Sequence, residues 1–241
     1  MTPLASLLGA AWARHERLPT IVVEPSVGST GGVRATADGA VDLGLVARPL
    51  KEQERKLGLV LIPVARDAVV LAAHPSVAAD GVTSDDLVAL FAGARTAFAD
   101  GSPVTVLLRD RDDSAHAALE QLVPGLREAR EASYATNRFR VLSHDDAMGG
   151  ALAITPGAIG VYSLGALVAS RLPLKVLMLD GVKPSLETLE NGRWRASRAV
   201  AFVVRSDRLD RARAFLSFVS GPEGAALARA NSYLPAEQAV P

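Results

Sequence analysis

The chain of 241 residues contains no cysteine. This absence excludes disulfides, thiolate metal ligands and a cysteine nucleophile, but it does not decide the cellular compartment, since many exported proteins also lack cysteine. An excess of charge of either sign is missing too, because 26 basic residues balance 26 acidic ones. A neutral chain gives no electrostatic reason to expect a nucleic acid or an anionic membrane as a partner.

Long hydrophobic runs are also missing. No window approaches the roughly 18 uninterrupted apolar residues that a membrane-spanning helix needs. The N-terminal segment starts apolar, but no basic region precedes it and charged residues interrupt it from Arg14 onward. We therefore predict an amphipathic helix there rather than a signal peptide. The apolar fraction of 49% can fill the cores of one large or two modest α/β domains, and we favour two.

Strand-like and helix-like segments alternate along the chain. The predicted strands are IVVE (21–24), VDLGLVA (41–47), LVLIPVARDAVVLAAH (59–74, broken at Pro63), PVTVLLR (103–109), GAIGVYS (157–163), LKVLMLD (174–180) and AVAFVVR (199–205). The predicted helices are the N-terminal one, VRATADG (33–39), SDDLVALF (84–91, capped by Ser84), SAHAALEQLV (114–123) and two helices divided at Gly221-Pro222. The first two strands with the helix between them predict a βαβ unit with parallel pairing.

A glycine-rich segment, Gly28-Ser29-Thr30-Gly31-Gly32, separates the first predicted strand from its helix. Backbone N–H groups and the positive end of the helix dipole would converge there, which favours an anion site. The alternative is a tight turn that needs glycine only for positive φ. The spacing fits neither the dinucleotide fingerprint nor the P-loop, so neither of those folds is expected.

Five blocks of sequence together resemble the phosphate-binding proteins of ABC importers in order and spacing. They are SVGSTGGVRATADGAVDLGLVARPL, LVLIPVARDAVVLAAH, LFAGARTAFADGSPVTVLLRD, TPGAIGVYSLGAL and LKVLMLDGVKPSLETLENGRWRASRAVAFVV. The resemblance implies an α/β, two-lobed type II periplasmic-binding-protein fold with hinge strands. Lobe one would comprise residues 1–66 plus 198–241 and lobe two residues 67–197, with hinge strands at Val64–Val70 and Ser197–Phe202.

The same resemblance implies a function. Such a protein would capture phosphate or a related oxyanion between its lobes and deliver it to an ABC permease. It would act as a periplasmic or otherwise extracytoplasmic monomer, without a cofactor, without nucleic acid and without catalysis. The open alternative is a sensing or protein-interaction module of the same fold that has lost phosphate binding or binds another small solute.

Individual site residues follow from the matching positions. Ser29 matches the family's phosphate-contacting serine, with Thr30 and the amides of Gly31 and Gly32 beside it. Arg109 falls where the family has an arginine that pairs with the oxyanion, a role that suits a planar fork of donors. By topology rather than by resemblance, Arg48 follows the second strand and points toward the same crevice as Ser29. We treat Arg48 as a further candidate contact.

The pattern fails after Arg109, where the family has Gly-Ser-Gly-Thr and this chain has Asp112-Asp113-Ser114-Ala115. A charge pair about 4 Å apart is worth roughly 4 kcal/mol at an intermediate dielectric, so a carboxylate beside a bound anion would offset several hydrogen bonds. Three readings stay open. A carboxylate caps the following helix, or it accepts the proton of a monohydrogen oxyanion, or the site takes another solute or none. Asp113 and Ser114 remain ligand candidates.

The N-terminus also departs from the family, whose members begin with a strand and a ligand-contacting loop before the first helix. This sequence begins inside that helix, which suggests either trimming or a reduced relative. Catalysis is not expected, because Asp113, Ser114 and His116 include no glycine-framed nucleophile. The segment from His144 to Asp146 could bind a metal, although capping of the following helix is favoured.

Overall fold

The computed structural model describes residues 1–17 and 21–237. The chain divides into two compact units. Unit 1 comprises Met1–Asp67 and Arg198–Pro241, and unit 2 comprises Ala68–Ser197. Two long strands cross the division: one spans Leu59–Ala73 and the other Ser197–Arg205.

The described residues form eleven α-helices and ten strands. The helices are α1 Thr2–Glu16, α2 Gly28–Ala37, α3 Glu52–Arg55, α4 Ser84–Phe91, α5 Ser114–Glu120, α6 Leu126–Ala135, α7 Asp145–Ile154, α8 Leu164–Ala169, α9 Leu186–Glu190, α10 Leu209–Ser220 and α11 Pro222–Ala230, and a 3₁₀ turn covers Ser206–Arg208. The strands are β1 Leu43–Val46, β2 Leu59–Ala73, β3 Gly81–Val82, β4 Thr105–Arg109, β5 Arg140–Leu142, β6 Ala158–Ser163, β7 Lys175–Val176, β8 Met178–Leu179, β9 Ser197–Arg205 and β10 Tyr233–Pro235.

In unit 1 the strands run in the order β1, β9, β2, and β10 pairs with β2. Strand β9 shows how a period of two builds two cores, because successive side chains point to opposite faces. On one face, a cluster contains Val200, Phe202 and Val204 of β9. These residues pack with Leu4 and Leu8 of α1 and Phe215 of α10. Val203 packs instead with Val33 of α2. The sheet of unit 1 is therefore covered on both faces.

The predicted first strand, residues 21–24, is wrong. Ile21 and Val23 pack against the α1 and α10 core, but the segment forms no strand, and β1 pairs antiparallel with β9 instead. A cavity of about 540 Å³ is lined by residues 21–28 on one side and 40–45 on the other. Because a strand needs a hydrogen-bonding neighbour, an apolar extended segment beside an open cavity stays irregular. The predicted parallel βαβ unit is therefore absent among the described residues.

The parallel strands lie in unit 2. Strand β4 pairs in parallel with β5 and β6, while β6 and β7 run antiparallel to β2. Helices α5 and α6 connect β4 to β5, and α7 connects β5 to β6, which are the crossovers that parallel pairing requires. The carboxyl ends of β4, β5 and β6 lead directly toward the starts of α5, α7 and α8. A crevice at such strand ends is the usual ligand position in α/β sheets.

Several predicted boundaries shift for local reasons. Strand β2 continues through Pro63, which the prediction treated as a break. The cap of α4 is Thr83, whose hydroxyl accepts from the Asp86 amide at 3.1 Å, and Ser84 is already helical. Ser84 instead binds Asp180 through both its amide and its hydroxyl. The run 174–180 splits into β7 and β8, which pair with different strands.

Close contact between α2 and β1 depends on Gly44. A Cβ atom at this position would lie 2.4 Å from the Thr36 hydroxyl and 2.6 Å from the Gly32 carbonyl oxygen. Since the carbonyl belongs to a helix backbone, it cannot move aside easily. We expect Gly44→Ala to lower the free energy of unfolding by about 1–3 kcal/mol through overpacking, measured by urea denaturation.

Gly150 supplies the matched control for that substitution. It lies exposed inside α7, and a Cβ there would have no heavy atom within 4 Å. Gly150→Ala should therefore raise the free energy of unfolding by about 1 kcal/mol, the ordinary difference in helix propensity. Equal effects of the two substitutions would show that the contact between α2 and β1 is not tight.

Candidate functional site

The first half of the candidate site is the start of α2 in unit 1. Gly28 has a φ of 70° and is the first helical residue, so the turn predicted over residues 28–32 is itself the first turn of the helix. The residue before it, Val27, gives no side-chain hydrogen bond to this turn. The open amides of the first turn therefore belong to Gly28, Ser29 and Thr30, because the first N–H groups of a helix have no intrahelical acceptor.

Gly31 and Gly32 have packing roles that the sequence did not reveal. A Cβ on Gly31 would lie 2.7 Å from the Val27 side chain, and one on Gly32 would lie 2.8 Å from the Leu45 carbonyl oxygen. Gly32 is also the fifth residue of the helix, where its amide belongs to the regular helical ladder. Gly32 therefore packs α2 on β1, and the contact of the Gly31 and Gly32 amides with an ion stays a prediction.

Side chains at the start of α2 are fixed by the segment after β1. The Ser29 hydroxyl oxygen accepts from the Ala47 amide at 3.0 Å, which leaves the hydroxyl proton able to donate elsewhere. The Arg48 guanidinium donates to the Thr30 hydroxyl at 3.1 Å. The structure thus brings Ser29, Thr30 and Arg48 together, although the parallel βαβ unit from which this proximity was predicted is absent among the described residues. Their role as ligand contacts stays a prediction.

Arg48 is neutralised inside unit 1. Its two Nη atoms each donate to a carboxylate oxygen of Glu54 at 2.7 Å, in a bidentate pair. The hydrogen bond from Arg48 lowers the Glu54 pKa to about 2, so the carboxylate is ionised at neutral pH. Glu54 was not predicted from the sequence, because it returns to Arg48 only through the short helix α3. The formal charge of this half-site, counting +1 for Arg48 and −1 for Glu54, is zero.

The second half of the candidate site is Arg109 at the carboxyl end of β4 in unit 2. The residue is 3% exposed and lies opposite Leu142 of β5. Its Nη2 atom donates to Asp113 at 2.7 Å and lies 3.5 Å from a carboxylate oxygen of Asp145. Its Nε and Nη1 atoms are buried and have no hydrogen-bond partner among the described residues. Two donors of one guanidinium therefore lack an acceptor.

Asp113 has two structural roles. One carboxylate oxygen accepts from the Ala115 amide at 2.9 Å and caps α5, and the other accepts from Arg109. The first of the three predicted readings, a helix cap, therefore describes Asp113, but the prediction missed its ion pair with Arg109. Ser114 is the first residue of α5. Whether Asp113 or Ser114 touches a ligand stays a prediction.

Asp145 is the site residue that the sequence analysis assigned otherwise. Its neighbour His144 caps α7 by accepting from the Ala147 amide at 3.2 Å, as the favoured reading of this segment predicted. Asp145 itself is 8% exposed and approaches Arg109. Two carboxylates and one guanidinium give this half-site a formal charge of −1. The sequence did contain one signal for this position. Asp145 begins α7, which directly follows β5, the strand that pairs in parallel with β4.

A buried polar layer supports the loop after Arg109. His116 and Arg130 in this layer are each less than 5% exposed. The Tyr134 hydroxyl donates to the Arg109 carbonyl oxygen, and Arg130 donates to the Arg111 carbonyl oxygen at 2.9 Å. Burial first, and the Arg130 charge second, lower the His116 pKa to about 3. His116 is therefore neutral at pH 7.

Other ligand classes find little support in the described residues. No group of three or more His, Cys, Asp or Glu side chains there has the arrangement of a metal site. Within residues 1–17 and 21–237, no helix has the length and apolarity to cross a membrane. The cavity of about 540 Å³ in unit 1 is lined mostly by apolar residues, and its charged side chains are Glu24 and Asp42.

Comparison with known proteins identifies the class of fold. A substrate-binding protein assigned to phosphate ABC transport, from Clostridium perfringens with bound phosphate, is 19% identical over 98% of this chain and 96% of its own, with a TM-score of 0.82. An ABC-type phosphate transport receptor from Vibrio cholerae is 17% identical over 97% and 95%, with a TM-score of 0.64. The α/β topology is thus that of substrate-binding proteins, and identities this low show the fold alone.

The family is established by a second comparison. A family model described as PBP superfamily domain matches residues 4–223, so the chain belongs to the PBP superfamily. The predicted resemblance and fold class are confirmed. No functionally curated protein is significantly similar to the chain. A periplasmic protein assigned to metal binding has the same fold, with 17% identity over 98% of this chain and 93% of its own and a TM-score of 0.62. The choice of ligand therefore depends on this chain's own residues.

Proposed function

We propose that this protein captures phosphate or a related oxyanion and delivers it to the permease of an ABC importer. The observation that carries the proposal is Arg109, a buried guanidinium at the carboxyl end of a parallel strand with two donors left without an acceptor. A buried donor without a partner costs about 1–3 kcal/mol, and more on a charged group. Oxygens of a bound oxyanion would remove that cost through charge-assisted bonds.

The start of α2 adds a second set of donors. Three amides at Gly28, Ser29 and Thr30 lie in the first turn of a ten-residue helix whose preceding residue supplies no side-chain cap. The positive end of the helix dipole favours a negative group at that point. We propose that these amides, with the Ser29 hydroxyl proton, are the oxyanion contacts that unit 1 supplies.

The carboxylates around Arg109 favour an oxyanion that carries a proton. Together, the Asp113 and Asp145 carboxylates carry two negative charges against the one positive charge of Arg109. An ionised carboxylate oxygen can accept a hydrogen bond but cannot donate one. Phosphate keeps at least one proton at neutral pH, whereas sulfate has none. We therefore propose that the site takes phosphate in preference to sulfate.

A second candidate function is supported by the same ion pairs. Each candidate arginine already forms an ion pair within its own unit: Arg109 with Asp113, and Arg48 with Glu54. A protein whose cations are already paired could bind a neutral or cationic solute, or act as a sensing or protein-interaction module without an oxyanion. The matching solved structures are named for transport or for binding of phosphate or metal, so we propose no enzymatic reaction.

Isothermal titration calorimetry with phosphate, sulfate, molybdate and a panel of small organic solutes tests the proposal. We expect phosphate to bind with a dissociation constant in the micromolar range or below, at one ion per chain, and sulfate to bind more weakly. Ser29→Ala should weaken phosphate binding without changing that stoichiometry, because it removes the hydroxyl proton that we propose as a donor to the ion. Binding of an organic solute alone, or of nothing in the panel, would support the second candidate and contradict the first.

The proposal also implies a location and an assembly. A protein that presents phosphate to an importer acts outside the cytoplasm and in contact with its permease. We propose that it does so as a monomer, with no nucleic acid as a partner. Sedimentation of the purified protein with and without phosphate would test the monomer, and co-purification with the permease would test the partnership.

A further inference from the structure

A network of side chains on α6 holds the backbone that carries Arg109. The Tyr134 hydroxyl donates to the carbonyl oxygen of Arg109, where β4 ends. Arg130, one turn earlier on the helix, donates from Nη1 to the Tyr134 hydroxyl at 3.2 Å and to the Arg111 carbonyl oxygen at 2.9 Å. Two carbonyl groups on either side of Asp110 are thus fixed by one helix.

Arg130 is itself held in place on several sides. Its Nη2 atom lies 2.6 Å from a carboxylate oxygen of Glu120, and its guanidinium carbon lies 5.3 Å from the centre of the Tyr134 ring. His116, neutral in the folded protein, presents Nδ1 at 3.4 Å from Arg130 Nη1. A buried guanidinium with this many contacts has little freedom to move, so it is a rigid support for the loop.

The need for such support follows from the state of the Arg109 side chain. Only its Nη2 atom is engaged by Asp113 and Asp145, while Nε and Nη1 have no acceptor among the described residues. The direction of a long side chain with one anchored nitrogen depends on where its backbone is held. A small displacement of the Arg109 carbonyl would therefore move the guanidinium away from a ligand position.

We propose that Tyr134 and Arg130 are positioning residues that orient the Arg109 guanidinium for binding. This inference rests on the proposed function in one respect only, the expected effect on the affinity for an oxyanion. The orientation of Arg109 is a property of the protein without any ligand, and it can be measured separately.

Tyr134→Phe is the test variant, and Ser133→Ala is its matched control. The first removes only the hydroxyl that contacts the Arg109 carbonyl. The second removes a hydroxyl of the neighbouring residue on α6, which donates to the Phe91 carbonyl oxygen at 2.5 Å and does not touch the loop. Each substitution removes one hydroxyl that donates to a backbone carbonyl, so similar losses of thermal stability are expected.

The two variants should differ in phosphate affinity. Tyr134→Phe is expected to weaken phosphate binding about tenfold in calorimetry, the effect of one ordinary hydrogen bond. Ser133→Ala is expected to leave the dissociation constant unchanged. An equal change in both variants, or no change in Tyr134→Phe while the wild type binds phosphate, would overturn the proposal.

A ligand-free measurement separates this inference from the proposed function. The ¹H–¹⁵N heteronuclear NOE of the Arg109 Nε–H group reports how rigid the guanidinium is. We expect a lower NOE in Tyr134→Phe than in the wild type, and no change in Ser133→Ala. If the wild type binds no oxyanion, the proposed function fails while this NOE still decides the positioning role. An unchanged NOE in Tyr134→Phe would overturn that role.

Discussion

Replacing Arg109 by glutamine is expected to weaken phosphate binding at least about a hundredfold and to lower the free energy of unfolding by about 3–5 kcal/mol. The loss of affinity follows because two charge-assisted hydrogen bonds, each worth about 1.5–3 kcal/mol, can no longer form. The loss of stability follows because Asp113 and Asp145, with side chains 12% and 10% exposed, would each lose the positive charge of Arg109 beside them. Calorimetric titration measures the first quantity, and urea denaturation measures the second.

Two further variants show whether these losses arise as described. Arg111→Gln removes a positive charge two residues away, on a side chain that is 57% exposed and paired with Glu131, and it should change both quantities little. Asp113→Asn in the Arg109→Gln background should restore part of the stability, because asparagine caps a helix as well as aspartate does and carries no charge. If Arg109→Gln bound phosphate as tightly as the wild type, the guanidinium would have no part in binding.

The buried histidine should make the protein less stable as the pH falls from 6.5. Burial and the neighbouring Arg130 and Arg109 charges, opposed in part by Asp113, lower the His116 pKa from 6.5 to about 3 in the folded protein. Between those values the unfolded chain binds a proton that the folded protein does not. The stability contribution is therefore present above pH 6.5 and decreases by about 1.4 kcal/mol per pH unit below it.

Urea denaturation at several values between pH 7 and pH 5 measures this slope. This pH range lies above the one in which Glu54 affects stability. The stability that comes from the lowered Glu54 pKa is lost only as the pH falls from 4.5 toward 2. We expect His116→Phe to flatten the curve by about 2 kcal/mol over the 1.5 units below pH 6.5. The same scan of a glutamine variant at exposed His15 measures what surface histidines contribute. An unchanged slope in His116→Phe would show that the histidine becomes protonated without unfolding.

The sequence predicted those parts of the fold whose signals are local. Helices α5, α10 and α11 and strands β4, β6 and β9 have clear periodicity and turn residues, and the structure has each of them close to its predicted place. The strand predicted at 21–24 was wrong because a strand is defined by its neighbour. Its pattern is that of a buried strand, and no partner lies beside it in the described residues.

In the candidate site, too, only the residues with a local signal could be predicted from the sequence. Arg109 could be predicted at the end of a parallel strand because β4 has a continuous apolar pattern up to that residue. Its partners could not, since Asp145 is 36 positions further along the chain and approaches Arg109 only through the pairing of β4 with β5. Glu54 and Tyr134 were missed for the same reason, since each meets its partner through a separate helix that no local pattern ties to the site.

The glycines at the start of α2 show a limit of motif reading. Two of the five residues, Gly31 and Gly32, give room to Val27 and Leu45, which any tight helix–strand contact would require. Anion binding at the start of α2 would therefore depend on the open amides of the first turn rather than on the number of glycines. The same sequence pattern serves packing and binding together.

The most direct test of the proposal is a phosphate titration followed at the Arg109 Nε–H resonance in ¹H–¹⁵N spectra. We expect a saturable shift of this resonance that gives the same dissociation constant as calorimetry, together with shifts of the Gly28, Ser29 and Thr30 amides. Phosphate binding that leaves the Arg109 resonance unchanged, or the absence of any phosphate binding, would contradict the proposal.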